Sequence, residues 1–186
     1  MPPALRARHP QMLLELLQAQ QPALHGELLT SLRSAKRIVD AMPVEWLPIE
    51  VDVELIDALA KKLSPAVFEN LVRERQRLEM GSALFKTFVS TILRLLGGSP
   101  AVLVRHFPKG WSQVFSECGR VEVVEVPGDR QACLRVVDLP PVCIASRAWI
   151  DAIPVGVQTL YELIGLTTGK VTLAREGNGV ILDFTW

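Results

Sequence analysis

The sequence contains few of the residue types that build catalytic or metal sites. Its 186 residues include three cysteines and three histidines. Cys118, Cys133 and Cys143 form no C-x-x-C pair, so neither a disulfide framework nor a structural zinc site is expected. The sequence also has no G-x-S-x-G nucleophile motif and no G-x-x-x-x-G-K-[ST] phosphate loop. We therefore expect no enzymatic activity, no metal and no cofactor.

The chain also lacks a net charge and a long apolar run. It has 20 basic and 20 acidic side chains, which gives no overall attraction to nucleic acid. Apolar residues make up 49% of the sequence, enough for one domain with a full core. No stretch of about 20 residues is free of charges and turn formers, so no transmembrane span is expected. The apolar run after Gln11 is interrupted by Glu15, which disfavours a secretory signal and predicts a cytoplasmic protein.

The spacing of apolar residues predicts helices over most of the chain. Helical periodicity occurs in residues 12–17, 28–42, 52–63, 66–79, 83–96, 101–107, 111–117 and 143–164. Ser64-Pro65 and Ser99-Pro100 are typical of an N-cap followed by the first helical residue. Segment 83–96 is apolar around most of its circumference, and we expect it to be the buried central helix.

Two segments near the C-terminal end show the alternation of a β-hairpin. Residues 120–126 and 132–139 flank a turn at 127–130, and residues 171–175 and 180–186 flank a turn at 176–179. N-terminal helices followed by a ββ-α-ββ arrangement predict an α+β fold, with one antiparallel sheet of about four strands packed on helices. We expect residues 1–25 to form an N-terminal helical extension and residues 26–186 to form a single α+β domain.

A run of basic residues is the main electrostatic feature. It includes Arg73, Arg75 and Arg77, and Lys62 precedes it. Arg73 and Arg77 share a helical face with Glu69, which favours an ion-paired face in solvent. The alternative is that Lys62, Arg73 and Arg77 form a docking face for a protein partner. Nucleic acid is disfavoured because no aromatic residues are interleaved with the basic ones.

Aromatic residues are sparse, at 6% of the sequence. Most are expected to anchor the core, because each buries a large apolar area. Trp111 follows a turn at 108–110 and is expected to seal the core between helices and sheet. The alternative is a pocket for a lipid or another small molecule, lined by Phe85, Phe88, Trp111 and Trp149.

A series of motifs resembles a domain family of myxobacteria, and the likeness covers most of the chain from about Leu28. In chain order, the motifs are Trp46-Leu47-Pro48, Met80-Gly81-Ser82, Leu95-Leu96-Gly97-Gly98-Ser99-Pro100, His106-Phe107-Pro108-Lys109-Gly110-Trp111, Gly119, Leu139-Pro140, Gly165 and Trp186. The sequence is more remotely similar to the shared fold of 4-vinyl reductase-like sensor domains, small TRAPP subunits and haem nitric-oxide/oxygen-binding domains. The resemblance implies a binding or scaffolding fold.

Individual functional residues of these relatives do not carry over. The haem-binding relatives have a Y-x-S-x-R motif, whereas Tyr161 here is followed by Glu162, Leu163, Ile164 and Gly165. The set that binds the haem propionates is therefore missing, and the resemblance gives His106 no ligand role. The cysteine-based site of the vinyl-reductase-like domains has no match either. The TRAPP likeness implies an apolar channel for an acyl chain.

Two functional hypotheses follow from the sequence. The first is a cytoplasmic, non-enzymatic scaffold or interaction module that docks a protein partner or associates with itself as a homo-oligomer. The second is a sensor or carrier that binds a hydrophobic small molecule or an acyl chain in an apolar pocket.

Overall fold

The computed structural model of the chain describes residues 2–82, 85–86, 90, 99–124 and 130–186, with the backbone alone at position 163. Within these residues, eight helices and two antiparallel sheets form the predicted α+β fold. The helices are α1 (Arg8–Gln20), α2 (Pro22–Ser31), α3 (Ala35–Asp40), α4 (Ile49–Lys62), α5 (Pro65–Gly81), α6 (Pro100–Val114), α7 (Pro141–Ala145) and α8 (Arg147–Leu163). The strands are β1 (Ala4–Arg6), β2 (Trp46–Pro48), β3 (Phe115–Ser116), β4 (Arg120–Val124), β5 (Gln131–Val137), β6 (Lys170–Glu176) and β7 (Gly179–Thr185).

The larger sheet has four strands in the order β4-β5-β7-β6. Both predicted hairpins are confirmed, because β4 pairs with β5 and β6 pairs with β7, each antiparallel. Leu134 of β5 lies opposite Leu182 of β7, and both are fully buried. The alternating apolar residues therefore define the sheet face on which the core is built.

The smaller sheet was not expected from the sequence. Strand β1 lies between β2 and β3, with Leu5 opposite both Leu47 and Phe115. Strand β1 and helix α1 contribute Leu5 and Leu13 to the same core cluster as Leu55 of α4. The first residues of the chain therefore pack into the main core, while the proposed boundary at residue 25 remains a prediction.

Several predicted helix boundaries are wrong. The helix predicted at 28–42 is divided into α2 and α3, and the one predicted at 143–164 is divided into α7 and α8 at Ser146. The two short helices predicted at 101–107 and 111–117 are one helix, α6, with Pro108 inside it. A proline removes only one backbone donor, and the buried face continues through Trp111 and Val114, so the helix does not end there. The predicted central helix at 83–96 lies largely outside the described residues.

None of the helices in the described part of the chain combines the length and apolar content needed to cross a membrane.

Candidate functional site

A cavity of about 120 Å³ lies among helices α5, α6 and α8. Helix α1 contributes His9 to the wall, and α4 contributes Asp52 and Ile56. The remaining described residues of the wall are Arg75, Gln76, Glu79, Met80, Phe85, Leu103, His106, Phe107, Gly110, Trp111, Val114, Phe115, Trp149, Ala152, Ile153, Gly156, Val157 and Leu160. Most of these side chains are apolar, and the polar ones come mainly from α1, α4 and α5.

Helical periodicity places the apolar residues on this wall. Leu103, Phe107 and Trp111 recur every fourth residue along α6 and therefore lie on one face. On α8, the wall residues Trp149, Ile153 and Val157 also recur every fourth residue. The side chain of Ser146 accepts a hydrogen bond from the backbone N–H of Trp149 at 3.0 Å, which caps α8 and fixes its first turn.

Aromatic rings form one part of the cavity wall. The ring centroids of Trp111 and Phe115 are 4.3 Å apart, and those of Trp111 and Trp149 are 6.5 Å apart at an interplanar angle of 81°. The indole Nε1–H of Trp111 donates to the backbone carbonyl of Cys118 at 3.2 Å. This bond and the ring contacts hold Trp111 in one orientation.

A buried ionic group lies on the polar side of the wall. Asp52 and Arg75 are 1% and 6% exposed, and their Oδ1 and Nη1 atoms are 3.7 Å apart. The other carboxylate oxygen of Asp52 accepts a hydrogen bond from Nε1 of Trp149 at 2.9 Å. Asp52 Oδ1 and the Nε and Nη1 atoms of Arg75 have no hydrogen-bond partner in the described structure.

A second buried pair adjoins the first. Nδ1 of His9 and Oε1 of Glu79 are 2.9 Å apart, and both residues are at least 95% buried. Burial by itself raises the pKa of Glu79, but the charge and hydrogen bond of His9 and the charge of Arg75 outweigh that effect and lower it. Glu79 is therefore a carboxylate at neutral pH, and the cavity wall carries two buried acidic groups.

The lowered pKa of Glu79 predicts a loss of stability in acid. A carboxyl group whose pKa is lower in the folded state contributes stability above its unfolded pKa, and this contribution is lost as the pH falls through the folded value. We expect the free energy of unfolding to fall as the pH drops below the usual value of 4.5, and Glu79→Gln to remove part of that dependence. Urea unfolding between pH 3 and 7 would measure it. An unchanged pH dependence in Glu79→Gln would contradict the assignment.

His106 presents an imidazole to the cavity. It is half-buried on α6, between Leu103 and Gly110, both of which also line the wall. Nothing in the described part of the chain forms a hydrogen bond or ion pair with it.

The structure brings together most of the aromatic residues predicted to line a pocket. Phe85, Trp111 and Trp149 lie on the wall of the same cavity. Phe88, the fourth, is outside the described residues. That this cavity is a functional pocket remains a prediction.

The three basic residues predicted to dock a partner are all ion-paired. Lys62 bonds to Glu27, and Arg73 lies 3.6 Å from Glu69, the pairing expected from the helical spacing. Arg77 donates from Nε and Nη2 to Glu162 at 2.8 and 3.0 Å, which links α5 to α8. Docking of a protein partner or a second copy at this face remains a prediction.

The sequence interpretation missed the buried ionic groups. Arg75 belongs to the basic run predicted to lie in solvent, and His9 lies within residues 1–25, predicted to form an extension. One signal was available: Arg75 follows Leu71 by four residues on α5, and Glu79 follows Arg75 by four, so both lie on the apolar face of that helix.

The fold is similar to that of solved H-NOX proteins. The Fe(II) unliganded H-NOX protein from K. algicida matches with a TM-score of 0.58 and 10% sequence identity, over 97% of this chain and 95% of that chain. The H-NOX protein from S. oneidensis in the Fe(II)NO ligation state matches with a TM-score of 0.54 and 12% identity, over 96% of this chain and 97% of that one. This likeness concerns the fold alone and confirms the remote similarity to the haem nitric-oxide-binding fold. No protein-family model and no curated protein matches the sequence.

Proposed function

We propose that the chain is a non-enzymatic sensor or carrier domain that binds a small hydrophobic molecule in the cavity among α5, α6 and α8. The observation that carries this proposal is an aromatic-walled cavity whose wall also contains buried, incompletely bonded polar groups. Binding sites of this kind are concave and mostly apolar, with a few polar groups that orient the ligand. This favours the second sequence-based hypothesis over the scaffold.

The structural neighbours support the same class of function. One neighbour is an H-NOX protein in its Fe(II)NO ligation state. Another is a structure from work on the function of heme distortion in the H-NOX family. A ligated state and a heme are thus associated with proteins of this fold. We infer that the shared architecture suits ligand binding here as well, with a different ligand.

Haem itself does not fit the residues of this cavity. An engineered cavity of about 150 Å³ holds benzene, whereas this cavity has about 120 Å³ and a porphyrin is several times larger than benzene. The anionic propionates of haem would also meet Asp52 and Glu79, and Arg75 is the only arginine or lysine among the described wall residues. The imidazole of His106 is an iron-binding group, but size and charge both oppose haem. A long acyl chain is likewise too large.

Native mass spectrometry of the purified protein tests the proposal directly. We expect a small organic molecule to remain bound, or added benzene to bind and to raise the melting temperature as its concentration increases. A Soret absorption band from haem retained during purification would overturn the exclusion of haem. If benzene causes no shift and no ligand is retained, the ligand-binding proposal is wrong.

Filling the cavity should abolish binding without unfolding the protein. Ala152 is buried on α8 and lines the wall, so Ala152→Leu places an isobutyl group in the space that a ligand would occupy. We expect the affinity for benzene to fall about tenfold or more, which corresponds to about 1.4 kcal/mol. Isothermal titration of both proteins would measure the change.

The matched control for this substitution is Ala148→Leu. Ala148 lies one turn earlier on α8 and packs against the core without lining the cavity. It receives the same added volume, and we expect it to retain benzene affinity. Equal losses in the two variants would show that the effect comes from distortion of α8 rather than from occupation of the cavity.

A further inference from the structure

The unpartnered atoms of Asp52 and Arg75 form a complementary pair on the cavity wall. Oδ1 of Asp52 is an acceptor without a donor, and Nε and Nη1 of Arg75 are donors without an acceptor in the described structure. The distance of 3.7 Å between Oδ1 and Nη1 exceeds that of a direct N–H···O hydrogen bond. Both residues line the cavity, and both are more than nine-tenths buried.

A hydroxyl group satisfies both sides of this pair. Its oxygen accepts a hydrogen bond from Arg75, and its O–H donates one to Oδ1 of Asp52. An ether or ketone would satisfy only the arginine, and a hydrocarbon would satisfy neither. Buried polar groups that lack partners are costly, so a ligand that supplies both bonds is favoured over one that does not.

The charges around Arg75 favour a neutral ligand. Asp52 lies beside the guanidinium, and Glu79 interacts electrostatically with it and with His9. The two buried carboxylates are already balanced by Arg75 and by the charge of His9. An anionic ligand would add a third negative charge there, which low-dielectric surroundings strongly disfavour.

We propose that the cavity binds a small neutral alcohol, of about six non-hydrogen atoms, whose hydroxyl bridges Asp52 and Arg75. The size follows from the cavity of about 120 Å³, slightly smaller than the space of about 150 Å³ that holds benzene. The hydrocarbon part of the ligand contacts the rings of Trp111 and Phe115, which also line the cavity. This inference rests on the proposed ligand-binding function and specifies its ligand class.

Three probes of about equal size test the inference on the unmodified protein: 1-pentanol, n-hexane and butanoate, each with about six non-hydrogen atoms, the size set by the cavity. We expect 1-pentanol to bind at least about tenfold more tightly than n-hexane, and butanoate to bind most weakly. Isothermal titration at neutral pH, with each probe up to its solubility in water, measures all three.

Each outcome of this comparison is decisive. An affinity for 1-pentanol no greater than that for n-hexane would overturn the alcohol class but not ligand binding. Tighter binding of butanoate would identify an anion site instead. Failure of all three probes together with benzene would overturn the proposed function itself.

A variant that removes both polar partners provides the second test. In Asp52→Asn/Arg75→Met, the preference for 1-pentanol over n-hexane should fall to within about threefold, because neither charged hydrogen-bonding group remains. The matched control is Arg77→Met, which removes an arginine from the surface of the same helix and should keep the full preference. A preference retained in the double variant would overturn the bridge.

A spectroscopic measurement covers the case in which the double variant does not fold. In the unmodified protein, the side-chain Nε–H resonance of Arg75 should shift on addition of 1-pentanol and remain in place with n-hexane. Assignment uses Arg75→Lys, which removes that resonance. The same shift with both probes would place the hydroxyl away from the guanidinium and overturn the bridge.

Discussion

Replacing Trp111 by alanine is expected to lower the free energy of unfolding by about 3–5 kcal/mol. Trp111 is 9% exposed, its ring centroid lies 4.3 Å from that of Phe115, and it contacts the ring of Trp149. Its removal leaves a cavity and also deprives the carbonyl of Cys118 of its donor. A loss of this size is a large part of the roughly 5–15 kcal/mol that stabilises a typical domain. Urea unfolding followed by circular dichroism would measure it.

Trp46→Ala is the control for the loss of a tryptophan as such. Trp46 lies on β2 and is half-buried, with the guanidinium of Arg6 at 3.8 Å from its ring. Because less of the ring is buried, we expect a clearly smaller loss than at Trp111. If Trp111→Ala keeps nearly normal stability but loses benzene binding, the indole acts in ligand binding rather than in holding helices and sheet together.

Strong periodicity is what made much of the fold predictable. The hairpins of the four-stranded sheet alternate apolar and polar residues over five to seven positions, which specifies both the strands and their buried face. Strands β1, β2 and β3 contain three, three and two residues, too few for any period to emerge. Their pairing depends on contacts between distant parts of the chain, which local sequence does not specify.

Apolar periodicity also made part of the cavity wall predictable. Trp111 and Trp149 belong to apolar stripes on α6 and α8, so the sequence indicates that their rings face the interior. Nothing in the local sequence indicates that Asp52 and Arg75 meet, since they lie on separate helices. The polar side of the wall is therefore a product of tertiary packing.

Breaking the Asp52–Arg75 pair on one side should be as destabilising as removing Trp111. Asp52→Asn keeps an oxygen for the indole N–H of Trp149 but removes the charge that faces Arg75. A buried charge left without its partner typically costs about 3–5 kcal/mol, and we expect a loss of that size. Arg75→Met should behave in the same way, because it leaves the carboxylate of Asp52 uncompensated.

The double variant measures the interaction between Asp52 and Arg75 separately from their other contacts. In Asp52→Asn/Arg75→Met neither charge is left alone, so the total loss should be well below the sum of the two single losses, with a coupling energy of about 1–3 kcal/mol. Arg77→Met serves as the control, since its exposed pair with Glu162 should contribute less than about 1 kcal/mol. Strictly additive losses in the cycle would mean that Asp52 and Arg75 do not stabilise each other, and that each is held by separate contacts of the cavity wall.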